Sequence, residues 1–215
     1  MHILGYGVNP ENPKLKTLTE ELLAGRDNRN PRIVAKLNEM DVAVTMTEWE
    51  DEAKGLVLGR PQLAAILLRK GYVSSIKQAF DKYLGQGSPA YFDKERLTPK
   101  QAIERIGASG GVPVLAHPIQ LRTTNDGELE RVVKDLVDLG LAGLEVIHSD
   151  HSIQLVEKYT ALADRFGLLK TGGSDFHGTN KKDIQLGFAR ACSCRIPRVF
   201  FDELSKRHRK FQAAG

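Results

Sequence analysis

The sequence has no long apolar run, few aromatic residues and almost no cysteine, and these shortages exclude several classes of protein. No stretch of about 18 apolar residues occurs, so a membrane-spanning helix is not predicted. The two cysteines, Cys192 and Cys194, are separated by one residue and are too close to link distant segments. The first residues also lack the basic segment and apolar stretch of a secretory signal, so we expect a cytoplasmic protein.

A strong excess of charge of either sign is also absent. The chain has 31 Lys and Arg residues against 27 Asp and Glu residues, a net charge of +4. This mild excess is compatible with a phosphate-bearing substrate but does not require one. A length of 215 residues with 41% hydrophobic composition fits one globular domain, with room for an insertion.

The sequence pattern changes near residue 111, and the part before it is helical. Four short helices are predicted there, at about 32–40, 60–70, 76–84 and 98–106, with no strands between them. Their boundaries are marked by Pro61 and Gly71, by Ser74 or Ser75, and by a Thr98-to-Gln101 capping box. Such a run of helices is typical of a helical insertion or lid, which we place at residues 10–108.

After residue 111 the pattern alternates between strand and helix. Three apolar strands are predicted at 112–116, 143–147 and 168–171, with helices at 128–139 and 153–166 between them and a closing helix at 199–210. Strands at this spacing with intervening helices favour parallel βαβ units, and hence an α/β fold.

Metal-capable side chains follow each of the three predicted strands. They are His117 after the first, His148, Asp150 and His151 after the second, and Asp175 and His177 after the third. The carboxyl ends of parallel strands meet at one face, where active sites of this architecture are built. Imidazole and carboxylate groups together suit Zn, Mn or Fe, ions that activate water and neutralise phosphate oxygens.

Taken one at a time, these residues have ordinary structural explanations. His117 alone is typical of a packed loop residue, and Asp175 of a turn beside two glycines. His151 is expected to be an ordinary residue at the start of a helix that Asp150 or Ser152 caps. His208 is expected to belong to a solvated basic helix end. The three strand-end clusters in combination nevertheless favour a functional site.

Five short motifs occur in an order that resembles the PHP (polymerase and histidinol phosphatase) phosphoesterases. The motifs are His2-Ile3-Leu4-Gly5-Tyr6, Gly59-Arg60-Pro61, Val114-Leu115-Ala116-His117-Pro118, Gly143 to Ser149, and Gly173-Ser174-Asp175-Phe176-His177-Gly178. The resemblance is strongest to the branch that hydrolyses nucleoside 3′,5′-bisphosphates and trims short RNA from the 5′ end. The resemblance covers essentially the whole chain, including the helical insertion.

The resemblance implies a distorted (β/α)7 barrel with three metal ions at the carboxyl ends of its strands. In the family, further strands with further metal ligands precede the motif that begins here at His2. The expectation is therefore an incomplete barrel over residues 1–215, an N-terminally truncated PHP domain whose activity is impaired by the missing ligands.

The same resemblance assigns roles to individual residues. It makes His2, His117, Asp175 and His177 metal ligands for divalent ions, with Mn first and Zn or Fe as alternatives. It makes Arg60 and His148 contacts to the substrate phosphate, with His148 also a catalytic group that protonates the leaving group. Glu145 is read as a supporting residue near the site. Gln62 stands where the family usually has histidine, which weakens that phosphate contact.

The resemblance predicts a metal-dependent phosphoesterase acting on nucleotides, other phosphorylated small molecules or short RNA. One alternative is a PHP phosphatase for another substrate, such as histidinol phosphate, although the Gly59-Arg60-Pro61 motif favours the nucleotide branch. The other is a catalytically inactive binding or partner module, suggested by the missing ligands. The sequence predicts no oligomeric state.

Overall fold

Three apolar segments after residue 111 form a parallel sheet. The structure, a computed structural model, describes residues 1–93, 97–176 and 184–213. Strands β2 (Val112–Leu115), β3 (Gly143–His148) and β4 (Leu169–Gly173) lie side by side and run in the same direction. Helices α6 (Asp126–Asp138) and α7 (Ile153–Arg165) connect them. The prediction of an α/β fold with parallel βαβ units is therefore confirmed.

A fourth strand, β1 (Ile3–Tyr6), completes this sheet at its other edge. It pairs antiparallel with β2, so that Ile3 is opposite Leu115 and Tyr6 is opposite Val112. The interpretation of the part before residue 111 as helical therefore missed this strand. A four-residue segment with a glycine carries little pattern of its own, and its pairing partner lies more than a hundred residues along the chain.

A short hairpin follows the sheet. Strands β5 (Phe188–Ala189) and β6 (Cys194–Arg195) pair antiparallel, so the expectation of three strands after residue 111 was also incomplete. Cys192 and Cys194 are joined by a disulfide across the turn of this hairpin. The disulfide encloses only Ser193, whose φ of 50° is left-handed, so it joins only neighbouring residues.

The chain divides into two compact units, and the first contains the sheet. It comprises Met1–Lys16 and Leu97–Gly215. Helix α5 (Pro99–Ala108) begins with the predicted capping box, in which the side chains of Thr98 and Gln101 each accept a backbone N–H of the other residue. The closing helix α8 spans Arg198–Ala213. Its His208 is not simply solvated, because Nε2 contacts the Gly7 carbonyl oxygen at 2.8 Å.

The second unit, Thr17–Arg96, is helical. Its described helices are α1 (Pro13–Asn38, which starts in the first unit), α2 (Met46–Ala53), α3 (Arg60–Arg69) and α4 (Ile76–Ala79), the last continuing into a π-helical turn. Helix α2 and the first half of α1 were not predicted. The first half of α1 is mostly exposed, and α2 is short, so neither shows a clear apolar period.

An apolar core holds the helical unit together. Trp49 is fully buried, and its indole N–H donates to the Gly59 carbonyl oxygen at 3.1 Å. Around it lie other fully buried side chains, including Ile33, Leu37, Leu63, Ile66, Leu67 and Leu84. Across the described ranges of both units, none of the helices is both long enough and apolar enough to cross a bilayer.

Candidate metal and phosphate site

The ends of four strands bring the predicted site residues of the first unit together. His117 lies two residues after the end of β2, His148 is the last residue of β3, and Asp175 lies two residues after β4. His2 joins them because β1 runs antiparallel to β2, which places the start of β1 beside the end of β2. The Ala116 N–H donates to the His2 carbonyl oxygen at 3.0 Å and fixes this arrangement.

His2 and His117 face each other through their rings. Nδ1 of His2 lies 3.0 Å from Nε2 of His117, and the ring centroids are 4.9 Å apart in an edge-to-face arrangement. Two imidazole nitrogens bound to one ion, each at about 2.0–2.2 Å, lie about 3 Å apart. The two nitrogens are within hydrogen-bond distance of each other, and the same separation also fits a pair of ligands for one ion.

The second ring nitrogen of His117, Nδ1, lies in a buried position. His117 is buried, and its Nδ1 has no hydrogen-bond partner among the described residues. A buried polar atom without a partner is costly unless an ion or a water satisfies it. Both His117 and Asp175 also have left-handed backbones, with φ values of 28° and 55°, conformations that non-glycine residues adopt mainly at turns and functional sites.

The hydrogen bonds of His148 define which ring nitrogen carries its proton. The Asp150 N–H donates to Nδ1 of His148 at 3.1 Å, so this nitrogen is the acceptor and the neutral ring carries its proton on Nε2. Nε2 in turn lies 3.9 Å from Oδ2 of Asp175. His148 is almost fully buried, and its ring centroid lies 5.4 Å from that of His117. The ring therefore presents an N–H towards the strand-end cluster.

His151 is part of the same group of rings, which sequence reasoning missed. It was expected to be an ordinary residue at a helix start, but it is fully buried, and Ser152 is the residue that caps α7. Its Nδ1 bonds to the Val146 carbonyl oxygen at 2.9 Å, and its ring packs against His148 and Tyr159. Burial lowers the pKa of His151 to about 4, with the contact to Val146 acting in the opposite direction.

Glu145 places a carboxylate beneath these side chains. It is buried inside β3, and its Oε2 accepts the His117 N–H at 2.7 Å. Burial raises its pKa to about 7, the His117 hydrogen bond lowers it, and the nearby Asp175 carboxylate raises it further. A register shift in the pairing of β3 with β4 lies between Glu145 and Ile147. Such irregularities often redirect side chains next to functional sites.

A direct hydrogen bond joins the loops that follow β3 and β4. The buried Ser149 hydroxyl donates to the Ser174 carbonyl oxygen at 2.6 Å, next to Asp175. The Ser149 carbonyl oxygen in turn accepts the Ala191 N–H from the hairpin turn. The first of these bonds links the segments that follow His148 and precede Asp175, and the second links the hairpin turn to the former.

In the helical unit, Arg60 lines a cavity of about 620 Å³. Its guanidinium donates to the Leu84 carbonyl oxygen at 2.9 Å and stacks over the ring of Tyr91, with its central carbon 4.6 Å from the ring centroid. Arg29, an almost fully buried arginine, lines the same cavity, and sequence reasoning did not identify it. Arg29 lies in a polar stretch of the sequence, and no local pattern there indicates that its side chain is buried.

Gln62 has a structural role that the sequence did not predict. Its Oε1 accepts the Gly59 N–H at 2.9 Å and closes the first turn of α3. For Gln62 to contact a phosphate, either this bond to Gly59 would break, or the side-chain NH₂ group would donate to the phosphate while Oε1 stays bound.

His177 lies outside the described residues, so the position of the fourth predicted metal ligand is not known. Within the ranges the structure does describe, no three His, Cys, Asp or Glu side chains come together as a ready-made site for one ion. The described cluster thus provides a pair of facing imidazoles and a nearby carboxylate.

Comparisons with known proteins agree on one family. The chain is 31% identical over 192 residues to the 3′,5′-nucleoside bisphosphate phosphatase of Chromobacterium violaceum, covering 86% of this chain and 65% of that protein. It is also 31% identical over 196 residues to the phosphoribosyl 1,2-cyclic phosphate 1,2-diphosphodiesterase of Eggerthella lenta, covering 87% of this chain and 70% of the relative. No protein-family model matches the chain.

A solved structure shares the fold. A protein from Bifidobacterium adolescentis, assigned as a metal-dependent phosphoesterase, superposes with a TM-score of 0.76 at 27% sequence identity. The match covers 96% of this chain and 71% of that one. With the strand-end motifs and these relatives in agreement, the chain belongs to the PHP phosphoesterases.

Proposed function

We propose that the protein is a metal-dependent phosphoesterase that hydrolyses phosphate esters of nucleotides or short oligonucleotides. The observation that carries this proposal is the convergence of His2, His117, His148 and Asp175 at the ends of four strands. The two relatives are named for hydrolysis of different phosphate esters, a bisphosphate and a cyclic phosphate, and both names support a phosphate-ester substrate. The sheet would then belong to a distorted (β/α)7 barrel, with residues 10–108 as a helical insertion.

Divalent ions would bind through His2, His117 and Asp175, together with His177. Mn is the first candidate, with Zn or Fe as alternatives, because imidazole and carboxylate donors suit all three. The 3.0 Å separation of the His2 and His117 nitrogens supports this ligand pair. A bound ion supplies a Lewis acid that activates water and neutralises charge on phosphate oxygens.

The remaining roles belong to side chains of the protein itself. His148 would donate a hydrogen bond from its Nε2–H to a phosphate or leaving-group oxygen, because its Nδ1 already accepts the Asp150 N–H. In the neutral form it orients and stabilises the leaving group, and protonation of that group would require the imidazolium. Arg60, whose guanidinium is oriented by Leu84 and Tyr91, would hold a substrate phosphate and compensate its charge.

The proposal is tested with purified protein, Mn²⁺ and adenosine 3′,5′-bisphosphate. His117→Ala should weaken Mn²⁺ binding by calorimetry at least about 100-fold, because a direct ligand contributes more than its supporting partners, and it should abolish phosphate release. His208→Ala, a matched loss of an imidazole outside the strand-end cluster, should leave both quantities near the wild-type values. Unchanged Mn²⁺ binding in His117→Ala would refute the metal assignment. Metal binding without any phosphate release would instead favour an inactive binding module.

A further inference from the structure

A buried carboxylate in the middle of a strand requires an explanation. Glu145 lies within β3 and only 4% of its surface is exposed. Removing a carboxylate from water is costly, and such groups are retained where specific partners use them. The role of Glu145 should therefore follow from the groups that lie against its carboxylate.

One partner is the backbone of a candidate metal ligand. Oε2 of Glu145, on β3, accepts the His117 N–H at 2.7 Å, just after the end of the neighbouring strand β2. His117 has a φ of 28°, a strained conformation for a residue with a side chain. A carboxyl oxygen that accepts this N–H stabilises the strained turn and so fixes where the imidazole points.

The other partner is the end of strand β4. A Cβ atom added at Gly173 would lie 2.7 Å from Oε1 of Glu145, which is closer than real contacts allow. The lack of a side chain at this position therefore lets β4 pass directly against the carboxylate. Gly173 is two residues before Asp175, the candidate ligand on that loop.

We infer that Glu145 is a positioning residue that holds the turn bearing His117 in the geometry needed for a divalent ion. The carboxylate does not need to touch the ion, because one oxygen acts through its hydrogen bond with the His117 backbone, and the other occupies the space that Gly173 leaves open. This inference rests on the proposed function, since it assumes that His117 is a metal ligand.

The first test separates the hydrogen bond from the bulk of the side chain. Glu145→Leu keeps the approximate volume but removes the acceptor, so Mn²⁺ affinity should fall about 10–100-fold, as when supporting partners of metal ligands are removed. Glu145→Gln retains one acceptor oxygen and should restore most of the affinity. Val146→Ala, a cavity in the same strand without contact to the His117 N–H, controls for general destabilisation and should leave the affinity unchanged.

A second readout needs no metal. Hydrogen exchange at the His117 amide, followed by NMR in the metal-free protein, should be at least about tenfold faster in Glu145→Leu than in wild type, since its buried acceptor is gone. Exchange in Glu145→Gln and in Val146→Ala should stay near the wild-type rate.

Gly173 allows a sharper version of the same test. Gly173→Ala alone should displace the carboxylate and reproduce the loss of Mn²⁺ affinity seen in Glu145→Leu. In a Glu145→Ala background the same substitution should cost little, because the atom that it would meet is no longer there.

The outcomes distinguish this inference from the proposed function. If His117→Ala weakens Mn²⁺ binding but Glu145→Leu changes neither affinity nor amide exchange, the positioning role is refuted while the metal site stands. Additive effects of Gly173→Ala and Glu145→Ala would likewise refute the role assigned to the close approach. If His117→Ala has no effect on metal, the proposed function itself is refuted.

Discussion

The two units of the chain bury different kinds of side chain. The helical unit has an almost entirely apolar core, and its buried polar side chains among the described residues are Arg29 and Asn30. The sheet unit buries a whole set of polar groups, which are Ser109, His117, Glu145, His148, Ser149, His151, Thr171 and Ser174. Buried polar groups are costly, and most of those in the sheet unit lie on the sheet strands or just after them, where the candidate site lies.

The largest effect is expected from damage to the apolar core. Trp49→Ala removes a fully buried indole and its hydrogen bond to Gly59, and should reduce the free energy of unfolding by about 3–5 kcal/mol. The loss is measured by urea denaturation followed by circular dichroism. Mn²⁺ affinity, measured well below the unfolding transition, should not change. A fall in metal affinity equal to the one in His117→Ala would show that metal binding by the sheet unit depends on the core of the helical unit.

The buried polar cluster should instead respond to pH. His151 has a pKa of about 4 when folded and about 6.5 when unfolded, so the unfolded chain takes up a proton first as the pH falls. Its stabilising contribution is complete above pH 6.5 and is lost between pH 6.5 and 4, by up to about 3 kcal/mol. Glu145, with a pKa of about 7, acts in the opposite direction and loses its contribution as the pH rises from 4.5 through 7.

Because the two groups oppose each other, the test compares variants rather than the wild-type profile alone. The difference in free energy of unfolding between His151→Gln and wild type should shift in favour of the variant as the pH falls from 6.5 to 4. His208→Ala should show no such shift relative to wild type. A pH-independent difference for His151→Gln would show that this ring titrates normally in the folded protein.

A smaller effect is expected at Arg60, on the helical unit. Arg60→Ala should weaken the binding of adenosine 3′,5′-bisphosphate by about 1.5–3 kcal/mol, as for a hydrogen bond to a charged group, while Mn²⁺ affinity stays the same. The binding constant is measured by calorimetry. Arg69→Ala, on the same helix and paired with Glu52 instead, is the matched control and should bind the ligand normally. Normal binding by Arg60→Ala would remove this residue from the site.

The smallest effects should be equal in the two units. Among the described residues, each unit has a threonine capping box, Thr45 at the start of α2 and Thr98 at the start of α5. Replacing either by Ala should cost about 1 kcal/mol, because a cap satisfies only the local backbone. Thermal melts of both variants provide the comparison. A much larger loss at Thr98 would mean that α5 is coupled to the polar cluster.

Local patterns predicted much of this structure. The capping box at Thr98, the cap at Ser75 and the strands that precede His117 and His148 depend on neighbours in sequence, and all of them appear in the structure. What could not be predicted depends on distant contacts. The burial of His151 follows from the packing of α7 on β3, which no local pattern reveals.

The candidate site was predicted in part for the same reason. His117, His148 and Asp175 each lie at or just after the end of a predicted strand. Parallel strands end at one edge of a sheet, so the grouping of these three residues could be inferred from the topology alone. The placement of His2 depended on the resemblance to the PHP family, because only an antiparallel pairing brings the start of β1 to that end of the sheet. Glu145 and Gly173 lie within two of the motifs, but the close approach of the Glu145 carboxylate to Gly173 depends on the pairing of β3 with β4 and could not be predicted from either motif.

The pairing of β1 with β2 also has a consequence for the order of folding. The partners Ile3 and Leu115 are far apart in sequence, so closing the loop between them requires a large loss of chain entropy. The contacts of the helical unit, Thr17–Arg96, lie inside that loop and are shorter in range. Ordering these helices first shortens the effective loop, and each halving of its length lowers the closure cost by about 0.6 kcal/mol. Strand β1, and with it His2, should therefore be among the last parts of the molecule to reach its native position.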